Sequence, residues 1–235
     1  SVPMAGPGDS QESAPARDRH GIDRLLDALR TAERPVIITL TGSCRDVAVA
    51  AARAPSLFSQ KVRAVYANAG TGSPDPERAR RLEFNARWDK AAYQALFTLP
   101  CPLYWLPCFE NDEGPLDPRP VSRHGTHFRF VQSAILPVLS NPVRRFFAHM
   151  FAAVQDPDWL GYLERADVAA LLEEQGRTTR HMWCTAGLLH LAGYGVGLDG
   201  ALVPGRPAAP LFGFTPIRVA CADALTRWKP DPAST

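Results

Sequence analysis

No apolar run in this 235-residue chain approaches the roughly 20 residues that a helical membrane span needs, so that class of protein drops out first. A strong charge of either sign is also missing. The formal net charge is +2, spread without a basic run, which gives no electrostatic case for nucleic acid or a membrane surface as partner. Cysteine is sparse and odd in number: Cys44, Cys101, Cys108, Cys184 and Cys221 argue for reduced thiols rather than a disulfide framework. Cys101, Cys108 and Cys184 also lack the paired C-x-x-C spacing of a zinc site. The glycine-bearing stretch Asn68-Ala69-Gly70-Thr71-Gly72 lacks the Lys and the frame of a phosphate-cradling loop. There is no internal repeat, no heptad pattern and no visible leader, which leaves localisation open with the cytoplasm favoured.

What is present suits a soluble α/β domain, with 46% hydrophobic and 21% charged residues and length for one substantial core. Apolar runs at 35–42, 62–70 and 102–106 read as strands, the first two ending in small residues. Helix-like segments at 46–54 and 89–96 lie between them. The order β-α-β-α-β predicts a Rossmann-like, mostly parallel sheet with flanking helices. Proline is unevenly spread among its 22 positions: residues 1–19 read as a flexible segment, and 111–120 as a long Pro-rich connection of the kind that forms lids or stays disordered. Beyond it, segments 126–139, 143–154, 167–174 and 182–192 predict a mainly helical C-terminal half, with a strand at 216–220. Residues 20–235 are expected to form a single domain.

Ligands of parallel sheets gather at the carboxyl ends of the strands. There fall Gly42-Ser43-Cys44, Asn68-Ala69-Gly70 and, through its loop, Glu83-Phe84-Asn85. Two residues apart in an extended segment, Glu83 and Asn85 would face the same side, and a carboxylate with an amide supplies the acceptors and donors that ribose hydroxyls need. The alternative is that both cap the next helix and satisfy loop backbone. Asp89 reads as a helix cap. His181, expected at a helix start, has the pKa range for protonating a leaving group, against the plainer role of bonding a neighbouring loop. His190, in an apolar helix, reads as a satisfied interior residue. Trp183, Trp105, Tyr104 and Phe109 offer aromatic surface for stacking on a base, or core packing. Cys44 opens a helix whose dipole would lower its pKa, but no Arg follows at phosphatase spacing, and a small residue filling the turn is the stronger reading.

Four patches carry a resemblance to the nucleoside hydrolases, the inosine-uridine-preferring type and its bacterial relatives. The turn at Thr39-Leu40-Thr41-Gly42 with Asp46-Val47-Ala48 is similar to the family's Gly-Pro-Leu-Thr-Asn turn and helix, and the strand ending at Gly70 to the one ending in Met-Gly-Gly. The most specific patch is Glu83-Phe84-Asn85 followed by Trp88-Asp89-Lys90-Ala91-Ala92, which resembles the family's Glu-Phe-Asn and Asp-Pro-Glu-Ala-Ala pair. Arg180-His181-Met182-Trp183 stands where the family often carries His-Asp before a helix. Together the patches span roughly 20–195. The resemblance implies hydrolysis of a ribonucleoside N-glycosidic bond by a Ca²⁺-bound water, with a nucleoside or other ribose-containing ligand held by Glu83, Asn85, Asn68 and Trp183, His181 assisting the departing base, and homo-oligomerisation left open. The family's opening Asp-x-Asp-x-x-x-Asp-Asp motif does not occur, and Met182 stands where a metal-binding Asp is usual. The missing motif implies a partial chain lacking an N-terminal βαβ portion, with no tight Ca²⁺ site of its own, and Met182 implies poor metal binding even with that portion restored. Both departures also leave the alternative of a non-catalytic nucleoside- or sugar-binding member.

Overall fold

The computed structural model of the chain describes residues 16–72, 77, 80, 82–108, 128–151, 158, 161, 169–197, 201–205, 210–212, 214, 216–222 and 225–230. The chain forms two compact units, one from 128–182 and one from the residues on either side of it.

The larger unit is organised by a parallel sheet of β1 (Val36–Leu40), β2 (Val62–Asn68) and β3 (Leu103–Leu106) in the order β1-β2-β3. All three strands expected from the apolar runs are present and parallel. Every residue of β2 except Arg63 is buried, the pattern of a central strand covered on both faces. Registers set Leu40 opposite Ala67 and Asn68 opposite Leu106, so the three strands end at nearly one level.

Helix α1 (Ala16–Thr31) presents Ile22, Leu26 and Leu29 on one face at spacings of four and three, and all three are buried. It packs on α2 (Arg45–Arg53), whose Val47-Ala48-Val49-Ala50-Ala51 are all buried because small side chains let the helix lie close to both neighbours. A third helix, α3 (Pro55–Lys61), starts on a proline whose missing N–H costs nothing at that position, and it sinks Phe58 fully into the core. Sequence patterning does not separate α3 from α2. Next come α4 (Phe84–Trp88) and α5 (Lys90–Ala95), continued by a 3-10 turn at Leu96–Thr98. Residues 1–15 of the expected flexible segment lie outside the described residues, as does the Pro-rich connection 111–120. Residues 16–19 are already helical.

The smaller unit pairs β4 (Phe128–Val131) antiparallel with β5 (Thr179–Met182), and packs α6 (Asn141–Phe151) on α7 (Ala169–Gly176). The chain then returns to the larger unit with α8 (Ala186–Leu191). An antiparallel sheet comes next, of β6 (Tyr194–Gly197) between β7 (Leu202–Pro204) and β8 (Pro210–Phe212). Last is the antiparallel pair β9 (Ile217–Ala222) and β10 (Leu225–Pro230).

Among the described residues the C-terminal half is therefore not mainly helical, and the expectation is corrected at three places. Residues 128–131 are a strand rather than helix, in keeping with alternating Phe128, Phe130 and β-branched Val131, and Pro137 limits residues 132–138 to short 3-10 turns. The expected helix at 182–192 shortens to Ala186–Leu191, because 179–182 pairs across to β4. After Leu191, Gly193, Gly195 and Gly197 stop the helix and open a sheet. The strand expected at 216–220 is present as β9. Among the described residues no helix is long and apolar enough to cross a membrane.

Candidate functional site

The carboxyl edge of the parallel sheet collects the polar residues that the sequence singled out in this unit. Asn68 closes β2 and is 4% exposed; Glu83 and Asn85 are 7% and 8% exposed. Burial at that level obliges each polar atom to find a partner. Glu83 does so at the start of α4: its Oε1 accepts the Asn85 backbone N–H at 2.9 Å, and its Oε2 accepts those of Gly70 at 2.8 Å and Ala86 at 3.3 Å. Thus 84–88 is helical, not extended, and Glu83 is its N-cap. Asn85 turns inward and donates through Nδ2 to the Asn68 carbonyl at 2.9 Å. Asn68 in turn donates through Nδ2 to the Leu106 carbonyl at 3.2 Å, while its Oδ1 accepts from Cys184 Sγ at 3.4 Å.

Asn68-Ala69-Gly70 is consequently held at every residue. Asn85 takes the first carbonyl, Trp105 Nε1 donates to the second at 2.8 Å, and the third accepts from Cys108 N at 2.8 Å while its own N–H meets Glu83. Gly70 has φ +72°, and a Cβ there would stand 2.0 Å from the Tyr93 hydroxyl. Only glycine fits. Tyr93 is fully buried and its hydroxyl shares a 2.7 Å hydrogen bond with Thr226 of β10, tying the sheet edge to the last strand.

Asp89 caps α5, as expected, accepting from Ala92 N at 2.9 Å, and its other oxygen accepts from Arg45 Nε at 2.7 Å. Both side chains of that ion pair are 13% exposed. The Cys44 reading is corrected in one respect: the thiol is fully buried and pushed up to about 12, first by burial and then by the charges of Glu83 and Asp89. These outweigh the helix dipole. Burial likewise raises Cys108, with Glu83 adding to it. All five thiols are free, and Cys184 is the exposed one.

The other predicted residues separate. His181 lies inside β5, opposite Arg129, rather than at a helix start, and it belongs to the smaller unit. Trp183 is half-buried in the larger unit. His190 is satisfied, through a 2.6 Å hydrogen bond between its Nδ1 and Tyr66 Oη, but it is exposed on the last turn of α8 rather than interior. Tyr104 stacks on Tyr66 with centroids 4.5 Å apart, and Trp105 meets the edge of Phe97, so both are packing residues. Phe109 lies outside the described residues. Gly70 was placed at this edge by the sequence as part of Asn68-Ala69-Gly70, whereas Cys108 and Arg45 are members of the network that sequence reasoning missed.

A solved structure with a similar chain path is the inosine-uridine preferring nucleoside hydrolase from Bacillus anthracis, at 16% identity and a TM-score of 0.38. The match covers 81% of this chain, which spans 58% of that one. The parallel sheet with its helices is compatible with such a fold. No family model and no curated protein matches the sequence.

The Ca²⁺ ion that the family resemblance implies needs six to eight oxygens converging on one point. The residues at this edge do not fit it. Both Glu83 oxygens are committed to backbone N–H groups and Asn68 Oδ1 to a thiol. Among the described residues no three His, Cys, Asp or Glu side chains converge as ligands. The cleft bordered by Thr41, Tyr66, Asn68, Cys184 and Gly187 has a volume of about 10 Å³, the room of a single water.

Proposed function

We propose that the chain is a nucleoside-hydrolase-like α/β protein that receives a ribose-bearing nucleoside at the carboxyl edge of β1-β2-β3, and that the whole protein cleaves its N-glycosidic bond. The observation that carries the reading is the gathering of Asn68 with Glu83 and Asn85 at that edge, the last two from the patch on which the sequence resemblance is most specific. In this reading Glu83 and Asn85 act by holding the Asn68–Gly70 turn in one shape, so that the strand end presents fixed groups to the sugar. Asn68 meets the ribose and Trp183 stacks on the base. The cleft opens for the ligand by movement of Cys184 and the start of α8.

A second reading, binding without catalysis, is favoured by one observation: the side-chain oxygens at the edge are spent on backbone donors and leave no shell for a cation. One experiment separates the two. The protein is titrated with inosine, uridine and ribose in a calorimeter, and the same mixtures are run on a column for free base. Binding with base release supports the enzyme, and binding alone supports the second reading. No binding of any of the three, with Asn68→Ala leaving the titration flat as well, would end both.

A further inference from the structure

The smaller unit carries an open depression of about 730 Å³, a volume within the range of small-ligand sites. Its walls are mixed. Leu136 is almost fully buried, Val131 is 46% exposed, and Pro137 and Leu172 complete an apolar side. Arg144, Arg177 and Glu173 complete the lining. Arg177 is spoken for: its Nη2 donates to Glu173 at 2.6 Å, one helical turn away at the rim, where both side chains are about 70% exposed. Arg144 differs. Its Nη2 donates to Asn141 Oδ1 at 2.5 Å on its own helix, but its Nε–H is buried without a partner among the described residues. A buried donor left unmade is costly, and a cationic one more so. An acceptor supplied from outside removes that cost.

We propose that this depression binds a small amphipathic carboxylate, whose head is taken by Arg144 and whose apolar body lies along Leu136, Pro137 and Leu172. The planar guanidinium offers Nε–H and an Nη–H as a parallel pair, the geometry that a carboxylate accepts in bidentate fashion. The charge count favours a monoanion. Two guanidinium groups against one carboxylate leave a single uncompensated positive charge, and a phosphate dianion would stand against Glu173. The apolar wall favours a ligand with a hydrocarbon body over acetate or formate.

The test uses octanoate as the probe, titrated into the whole chain by calorimetry at low salt, with octanol and inorganic phosphate as comparisons. Octanoate is expected to bind, and octanol and phosphate to bind at least about tenfold more weakly, the scale of a charge-assisted bidentate contact. Arg144→Gln should weaken octanoate by about tenfold or more, with circular dichroism showing that the fold is kept. Glu173→Gln guards against an Arg144 variant that does not fold, because it removes the competing carboxylate and should tighten octanoate severalfold. Octanol binding as well as octanoate, no octanoate binding at all, or an affinity that neither variant moves would each overturn the proposal.

Discussion

The carboxylate of Glu83 accepts the backbone N–H of Gly70 at 2.8 Å, so that a side chain at the start of one helix fixes a left-handed turn at the end of a strand thirteen residues earlier. Glu83→Gln keeps the shape but turns one acceptor oxygen into a donor facing backbone donors. Unfolding in urea should show a loss of about 2–3 kcal/mol, the size of a buried hydrogen-bond network broken on one side. A loss below about half a kilocalorie would mean that the clasp carries no weight.

Gly70→Ala combines a disfavoured φ of +72° with a Cβ placed 2.0 Å from the Tyr93 hydroxyl. The expected cost is about 3 kcal/mol or more, from strain and overpacking together. Tyr93→Ala in the same chain removes the obstacle, so the double variant should lose clearly less than the two single losses added. Strict additivity by urea melts would show that the two groups do not meet.

Asp89→Asn keeps an oxygen for capping α5 but discharges the partner of Arg45, in a pair where each side chain is 13% exposed. The variant should lose about 1–3 kcal/mol. The double variant with Arg45→Met should recover part of it, read from a thermodynamic cycle.

Alkaline pH should weaken the fold. The Cys44 thiol, pushed up to about 12 in the folded chain from an ordinary value of 9, stays protonated where the unfolded chain has already released its proton. Its contribution is fully present below pH 9 and is lost as pH rises towards 12, at about 1.4 kcal/mol per pH unit at most. Tyr66, also raised to about 12 by burial and by Tyr104, adds in the same direction above pH 10. Cys44→Ala should make the fall in stability between pH 9 and 10 shallower without abolishing it, because burial raises Cys108 and the other thiols as well; an unchanged slope would contradict the assignment.

Calorimetry with Ca²⁺ on this chain should show binding no tighter than about millimolar, the range of the weakest dedicated sites. Micromolar binding would require a donor set other than the one at the sheet edge.

Much of the parallel sheet was legible because its information is local. The apolar runs that hold 36–40 and 62–68 read as strands from their own residues, and Asp89 three residues before Ala92 is a capping distance. The Glu83–Asn85 pair was found for its chemistry but misjudged in geometry, since nothing in the stretch itself says that Glu83 will reach back to Gly70. Cys44 shows the same limit: its place before a helix is local, but the burial that raises its pKa comes from the whole core. Strands β4 and β5 were missed because β4 finds its partner β5 some fifty residues on, and a segment such as Thr179-Arg180-His181-Met182 reads as strand only once that partner is beside it.

The hydrogen bond between Tyr93 and Thr226 also sets an order of events in the cell. These residues are 133 apart in sequence, and the whole of the smaller unit is made between them. At about 5–20 residues per second, the ribosome delivers Thr226 roughly 7–27 s after Tyr93. Once Leu106 has followed, the nascent sheet has every strand of its parallel core and, for the rest of that interval, no partner for a deeply placed hydroxyl. The larger unit thus begins folding early and closes last, so a chaperone that holds emerging chains has the most to cover while the middle of the message is still being read.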